Sequence, residues 1–242
     1  DVAGSTNCTV TTNTNLELTG NFTTSSATSI FNLNGKDLSI AGNLTNASGA
    51  TTFTNTANST ITFKGTSAQT YSPNQNASTP ILTLNNVVMN HTGTGVSIST
   101  TNTPNMVLGT SGTLTLSQGK IITPTNQEVI VNNTTTTAVT TGNTSSYVEG
   151  NLRRYLAASA TGSFDFPVGH ATTGYERINI DFTSAASASA INLLARFDTW
   201  GGAWTIPGNP GWTECSVTYN APYLNNGYWS VDASAASTGN YN

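Results

Sequence analysis

Two stretches of this chain, "TNLELTGNFTTSSA" and "KDLSIAGNLTNASG", stand 22 residues apart and run almost in parallel. Laid over one another, Leu16 falls on Leu38, Leu18 on Ile40, Gly20-Asn21 on Gly42-Asn43 and Phe22 on Leu44, while Phe31 meets Phe53 at the same offset. Self-similarity at roughly 20 to 50 residues marks a solenoid. The repeated unit reads as a short strand, L-x-L or L-x-I, followed by a Gly-Asn turn. The series is expected to continue at Ile61-Thr62-Phe63-Lys64-Gly65 and at Ile81-Leu82-Thr83-Leu84. Val107-Leu108 and Val129-Ile130 are again 22 apart, with the extra strand Leu114-Thr115-Leu116 between them. At ~3.3 Å per extended residue such a circuit is ~70 Å long, and circuits stack at ~4.8 Å. The spacing predicts a parallel β-helix.

Each L-x-L turns both apolar side chains inward and the residue between them outward. Leu16, Leu38 and a residue within Ile61-Thr62-Phe63 are therefore expected in one interior column. The glycine is read as a left-handed turn residue. The asparagines are read as a ladder running from circuit to circuit, as in cross-β structures. The competing fold is an antiparallel sandwich with turns every ~8–12 residues. Identities shared at one fixed interval favour the solenoid.

Only 7% of residues are charged, against about 25% in an average soluble protein. Thr, Ser and Asn fill about two-fifths of the chain. Periodic apolar positions and frequent β-branched and aromatic residues argue against disorder. A net charge of −4 without a basic cluster excludes nucleic acid as a partner. No apolar run approaches the ~20 residues of a membrane helix, so no membrane span is expected. No signal peptide is present in a chain that starts at Asp1, which reads as a mature form. Cys8 and Cys215 match no zinc or redox spacing, and their pairing stays open. Scarce lysine with abundant hydroxyl and amide side chains suits an extracellular, cell-surface location.

The tract "TTTTAVTTGNTSS" (134 to 146) closes the first module, residues 1–146. Beyond it charges become commoner, all four tryptophans occur, and the 22-residue echo stops. Strands are expected at Tyr147 to Leu156, Ser163 to Val168, Glu176 to Thr183, Ile191 to Phe197, Ser216 to Tyr219 and Tyr228 to Ala233. In "RINIDF", Ile178, Ile180 and Phe182 alternate with Arg177, Asn179 and Asp181, the pattern of a half-buried antiparallel strand. Residues 147–242 thus read as a β-sandwich. Pro167 in "FDFPVGH" is expected to end or edge its strand.

The phrases "YVEGNLRRYL", "GSFDFPVGHATTGYERINIDF" and "GYWSVDASAASTGNY" resemble a pattern of very large surface proteins of Bacteroidetes. That group includes adhesins exported by the type IX secretion system, some tied to gliding motility. The resemblance covers residues 147 to 242, and Thr/Asn-rich coils are typical company for it. It implies secretion, a cell-surface place and type IX secretion components as partners. The chain stops at Asn242, just after "TGNYN", where the pattern places another strand, so a module truncated at its C-terminus is expected.

The search for chemistry finds no G-x-S-x-G, H-E-x-x-H, P-loop or D-x-D calcium loop, and no motif that asks for a cofactor or metal. His91 and His170 stand alone in different modules and read as surface or hydrogen-bonded histidines. A β-helix lyase or hydrolase needs clustered acids. The first 146 residues hold only Asp1, Glu17, Asp37 and Glu128, none at equivalent positions on adjacent coils. Asp37 beside Lys36 reads as a solvated turn. Glu149, Arg153, Arg154, Asp165, Glu176 and Asp181 read as ordinary surface ion pairs. The leading candidate site is aromatic. "DTWGGAWTIPGNPGW" (198 to 212) carries Trp200, Trp204 and Trp212 on a Gly/Pro-rich loop. Such indoles can stack on sugar rings, and equally can plug the sandwich. The N-x-S/T triplets at Asn21, Asn43, Asn58, Asn90 and Asn143 arise largely from composition.

These observations read together as a non-enzymatic segment of a secreted surface protein, a stalk carrying an adhesion or interaction module. The rival is a carbohydrate-active protein, either a lyase-like β-helix or a glycan-binding sandwich. An ice-binding solenoid ranks below both, because its ranks of T-x-T would have to be regular. The expected partners are adjacent modules of a longer chain or neighbouring subunits, with surface glycans as the rival's ligand. Few apolar residues in 1 to 15 predict that the first rung is completed by one of these neighbours.

Overall fold

The computed structural model describes residues 9–25, 30–46, 53–54, 58–73, 82–101, 104–124, 126–199 and 227–234. The chain winds as a parallel β-solenoid of about six turns with about 23 residues per coil. Each coil contributes one strand to each of three faces. The first face stacks Leu16–Leu18, Leu38–Ile40, Thr60–Phe63, Asn86–Asn90 and Leu114–Gln118. The second runs from Phe22–Thr24 and Leu44–Asn46 through Gln69–Ser72, Val96–Ile98 and Ile121–Ile122 to Val148–Glu149. The third holds Thr9–Thr11, Ile30–Asn32 and Phe53–Thr54, and then a second sheet of Thr83–Leu84, Met106–Leu108, Val129–Val131 and Leu152–Leu156.

The expected interior column is present: Leu16 pairs with Leu38, and Leu38 with Ile61. Leu38, Ile40, Ile61 and Phe63 are fully buried, while Ser39 and Thr62 between them are only half-buried. This is the period-2 alternation of a strand with one wet face. On the corner between the second and third faces Phe22, Phe31 and Phe53 cluster with ring centroids 4.8 to 6.1 Å apart. Two registers differ from the sequence reading. Leu84 belongs to the third face, and Val87–Met89 continues the first-face column on Ile61–Phe63. Val107 pairs with Ile130 and Met106 with Val129, one residue away from the 22-residue offset. Inter-coil hydrogen bonds span 22 residues at Asn15–Asp37, 23 at Asp37–Thr60 and 27 at Asn43–Thr70 and Asn86–Thr113. Coils lengthen through their loops while the ladders hold, which is why the echo fades along the chain.

The recurring Gly-Asn has a cause other than the expected one. Neither Gly20 nor Gly42 adopts a positive φ. A Cβ on Gly42 would lie 2.4 Å from the Gly20 carbonyl carbon, whereas one on Gly20 meets nothing within 4 Å. Glycine recurs because one coil's backbone rests on the next at that corner. The asparagines do link coils, but from side chain to backbone. Asn21 Oδ1 accepts the Asn43 N–H at 2.8 Å and Asn43 Oδ1 accepts the Thr70 N–H at 2.8 Å. Asn15, Asn86 and Asn105 do the same for Asp37, Thr113 and Glu128. Asp37 is part of this system, because its Oδ1 accepts the Thr60 N–H at 2.9 Å. Each such bond satisfies a corner donor outside the strand ladder and contributes about 1 kcal/mol.

The parallel ladder does not stop at residue 146. Val148 pairs with Ile121 and Leu152 with Val129, both parallel, and Val148 pairs again with Val168. The first face ends near an isolated bridge from Leu114 to Val139. The other two continue as antiparallel strands. The second face gains the hairpin Gly162–His170 and Gly174–Phe182. The third gains Ile191–Asp198 and Tyr228–Ala233. Phe164, Phe166, Phe182, Leu193 and Phe197 join the solenoid's own core. Pro167 sits inside its strand rather than at an end, opposite Arg177; pairing with Val148–Glu149 begins only at Val168, so that side needs no donor at the proline. Ile178 and Ile180 face the core and Arg177 and Asn179 face out, as their alternation predicts.

Candidate functional site

A groove of about 380 Å³ opens where the end of the last coil lies against the outer face of the 162–182 hairpin. One wall is the 134–146 tract, which contributes Thr136, Thr137, Val139, Thr140 and Thr141. The other wall is Ser163, Asp165, Arg177 and Asn179. Hairpin register explains the second wall, because Asp165 pairs with Asn179 and Pro167 with Arg177, placing outward polar residues side by side. Asp165 Oδ1 accepts from Arg177 Nε at 2.6 Å, from Arg177 Nη2, and from Asn179 Nδ2 at 2.8 Å. Ser163 Oγ in turn donates to Asn179 Oδ1 at 2.7 Å. One carboxylate oxygen is thus saturated, and Oδ2 accepts no hydrogen bond among the described residues.

Beneath the groove lies Arg154, fully buried. Its Nη1 donates to the Asp165 carbonyl at 2.9 Å, and its Nη2 to the Thr135 and Thr136 carbonyls at 2.8 and 3.1 Å. The guanidinium sits 5.1 Å from the centre of the Phe164 ring. One side chain therefore fixes the spacing of both walls. Burial pushes its pKa down to about 10, and the Asp165 charge works against that shift. The Tyr175 hydroxyl donates to the Thr141 carbonyl and ties down the end of the groove.

The lining offers a single carboxylate, whereas glycoside hydrolysis uses two. Ser163 has no histidine partner, since its hydroxyl bonds Asn179. Among the described residues no group of three or more His, Cys, Asp or Glu is placed to hold a metal. This is a lining that can bind hydroxyl-rich ligands through several hydrogen bonds at once.

Trp200, Trp204 and Trp212 lie outside the described residues, as do Cys8 and Cys215. The fourth indole, Trp229, donates from Nε1 to the Glu176 carbonyl at 2.9 Å and packs edge-on against Phe197. His91 is buried and hydrogen-bonded: Nδ1 accepts from the Gly93 N–H at 3.0 Å, leaving Nε2 to donate to Ser67 O at 3.0 Å. His170 Nδ1 accepts from the Thr172 N–H at 3.1 Å. The charged residues read as surface pairs divide. Arg153 makes a bidentate pair with Glu128 at 2.6 and 2.7 Å, Lys120 pairs with Glu149 at 2.9 Å, and Arg154 is no surface residue. Sequence reasoning missed the groove because its threonine wall looks like a linker. The signal for the other wall was present in the outward alternation of "SFD" and "RIN" across one hairpin. No family model, curated protein or solved structure matches the chain at a significant level.

Proposed function

We propose that this chain is a non-enzymatic segment of a secreted bacterial surface protein, in which the solenoid is a stalk and the antiparallel strands are an adhesion or interaction module. The observation that carries the reading is the unbroken parallel second face, from Phe22–Thr24 through Val148–Glu149 to the strand at Val168, with coils and terminal strands sharing one hydrophobic core. Six coils at ~4.8 Å each give a stiff spacer of ~30 Å. The two antiparallel layers, with Phe164 and Phe166 on one and Leu193 and Phe197 on the other, support a β-sandwich as the form of the module. Export by a type IX route and a place at the cell surface rest on the resemblance of residues 147 to 242 to gliding-associated adhesins.

An antibody raised against the chain, applied to intact cells of the organism that encodes it, tests the location. Labelling that disappears after external protease treatment supports it, and labelling only after permeabilisation overturns it. Beads coated with the chain and held under shear on cells or glycan-coated glass test adhesion, with uncoated beads as reference. The rival reading, a carbohydrate-active protein, gains one specific support. The hydroxyl-rich groove beside Asp165 suits glycan binding rather than glycan cleavage.

A further inference from the structure

We infer that the groove between Thr136–Thr141 and the 162–182 hairpin is a binding site for a neutral saccharide of one or two rings. This deepens the reading of the chain as a binding module and rests on it only for the premise that the site holds its ligand without cleaving it. The volume, about 380 Å³, lies at the small end of the range for ligand pockets, which begins near ~300 Å³.

The chemistry follows from which atoms are already occupied. Asp165 has one saturated oxygen, Oδ1, and one, Oδ2, that accepts nothing among the described residues. Arg177 spends Nε and one Nη2 hydrogen on Oδ1, which leaves its remaining Nη hydrogens as donors beside that free acceptor. An acceptor and a donor held side by side complement a pair of neighbouring hydroxyls, one donating to Oδ2 and the other accepting from the guanidinium. Asn179 adds a second amide hydrogen, and the threonine wall adds hydroxyls with methyl groups that suit the C–H face of a sugar ring. Val139 extends that apolar strip.

Charge decides between neutral and acidic sugars. Among the lining residues the only ionised side chains are Asp165 and Arg177, and each already holds the other. A uronate or sulfate on the remaining Nη hydrogens would lie beside the Asp165 carboxylate, which neutralises the guanidinium and repels a second anion. The second guanidinium nearby, Arg154, is fully buried behind the Asp165 and Thr136 carbonyls, and its Nη hydrogen bonds go to those carbonyls and to Thr135. It positions the walls. A site built this way recognises hydroxyls. It is also pre-organised, since both walls are fixed before any ligand arrives, which lowers the cost of binding.

The experiment is ligand-observed NMR on the full 242-residue chain with cellobiose, lactose, mannobiose and digalacturonate as separate probes. At least one neutral disaccharide is expected to bind with a Kd on the order of 1 mM, as suits an open, hydrated groove. Digalacturonate is expected to bind at least about tenfold more weakly. Asp165→Asn removes the ion pair and frees Arg177, so neutral binding falls about tenfold or more while digalacturonate binding rises. Thr137→Tyr, on the exposed rim, fills the groove without touching the core and abolishes binding while thermal melting stays unchanged. Absence of binding by every neutral probe up to about 20 mM overturns the proposal, as does preference for digalacturonate in the unaltered chain. Binding that survives both variants places the site elsewhere and also overturns it. Products accumulating in the same tube would sink the non-enzymatic reading and leave the site assignment standing.

Discussion

The early coils and the terminal strands are built from the same alternating pattern but are fastened by different chemistry. Between Leu16 and Asn90 the corners are closed by neutral amides and one aspartate, each accepting a backbone N–H of the next coil. From Lys120 onward ion pairs join in: Lys120–Glu149, Arg153–Glu128 and Arg177–Asp165 across strands, and Arg196–Asp198 within one. All three lysines precede residue 146 and all four arginines follow it. The difference has a geometric cause. In stacked coils every residue meets its own equivalent, so a charge repeated at one position would repel itself, whereas an amide accepts from the coil above and leaves its neighbour undisturbed. Where the coil repeat loosens, unlike residues face one another and charges can pair, as Lys120–Glu149 and Arg153–Glu128 do between parallel strands and Arg177–Asp165 does across the antiparallel hairpin. Arg154 stands at that change, buried under a groove that only the end of the solenoid can form.

The largest effect expected from breaking this contrast is at Arg154. Arg154→Ala strips three carbonyls of their donor and empties the space over Phe164, and is expected to cost about 4 kcal/mol in urea unfolding. Arg177→Ala, whose side chain is 41% exposed, is expected to cost less than about 1 kcal/mol. Equal losses would mean that both arginines are surface residues. Next in size is Gly42→Val, which drives a side chain into the Gly20 backbone and is expected to cost about 3 kcal/mol or more. Gly20→Val, its equivalent one coil earlier, meets open space and is expected to stay within about 0.5 kcal/mol. A tolerant Gly42 would mean that the coils do not touch at that corner.

These pairs also show what the residues disclosed in advance. The column Leu16–Leu38–Ile61 was readable because a strand with one buried face must repeat its apolar residues at the coil length. Gly42 was readable as a constrained position but not for its reason, since close backbone approach and positive φ both leave a glycine behind. Val107 was placed one residue out of register because later coils insert loop residues, and an apolar pair such as Val107-Leu108 reads equally well in either register. Arg154 could not be placed: "LRRYL" puts one arginine out and one in, and nothing local says that a burial site with three carbonyls awaits the second. The groove needs two segments brought together from either side of Arg154, a juxtaposition that periodicity does not carry.

Tyr71 sharpens the comparison from the other side, because its hydroxyl, like that of Ser59, is buried in the early coils without a hydrogen-bond partner among the described residues. Its ring packs edge-on against Phe63. Tyr71→Phe is expected to stabilise the chain by about 1 kcal/mol at neutral pH. Burial pushes its pKa well above the ordinary tyrosine value of 10.0. The folded state therefore keeps a proton that the unfolded state releases above that pH, so stability is full below about pH 10 and falls by about 1.4 kcal/mol per unit above it. Arg154 acts in the opposite sense. Burial holds its folded pKa, about 10, below the ordinary guanidinium range, so its linkage runs against that of Tyr71. Tyr71→Phe is thus expected to move the alkaline unfolding midpoint upward, and a midpoint left in place would assign that transition to other groups.

The smallest effect separates amide from charge within the early coils themselves. Asn43 and Glu17 both reach across coils, Asn43 to the Thr70 N–H and Glu17 to Lys64, 47 residues on. Asn43→Ala leaves a part-buried donor unmet and is expected to cost about 1 kcal/mol, with the same loss in dilute and in molar salt. Glu17 lies in the solvent; the Lys64 bond holds its carboxyl below the usual carboxylate range, but water screens the pair. Its depressed pKa would add stability above the ordinary carboxylate range and lose it on acidification, and solvation reduces that contribution to the point where Glu17→Gln leaves the melting temperature unchanged. Thermal melts of both variants at two salt concentrations decide the matter. A Glu17→Gln loss that exceeds the Asn43→Ala loss and shrinks in salt would mean that the coils, like the terminal strands, are held by charge.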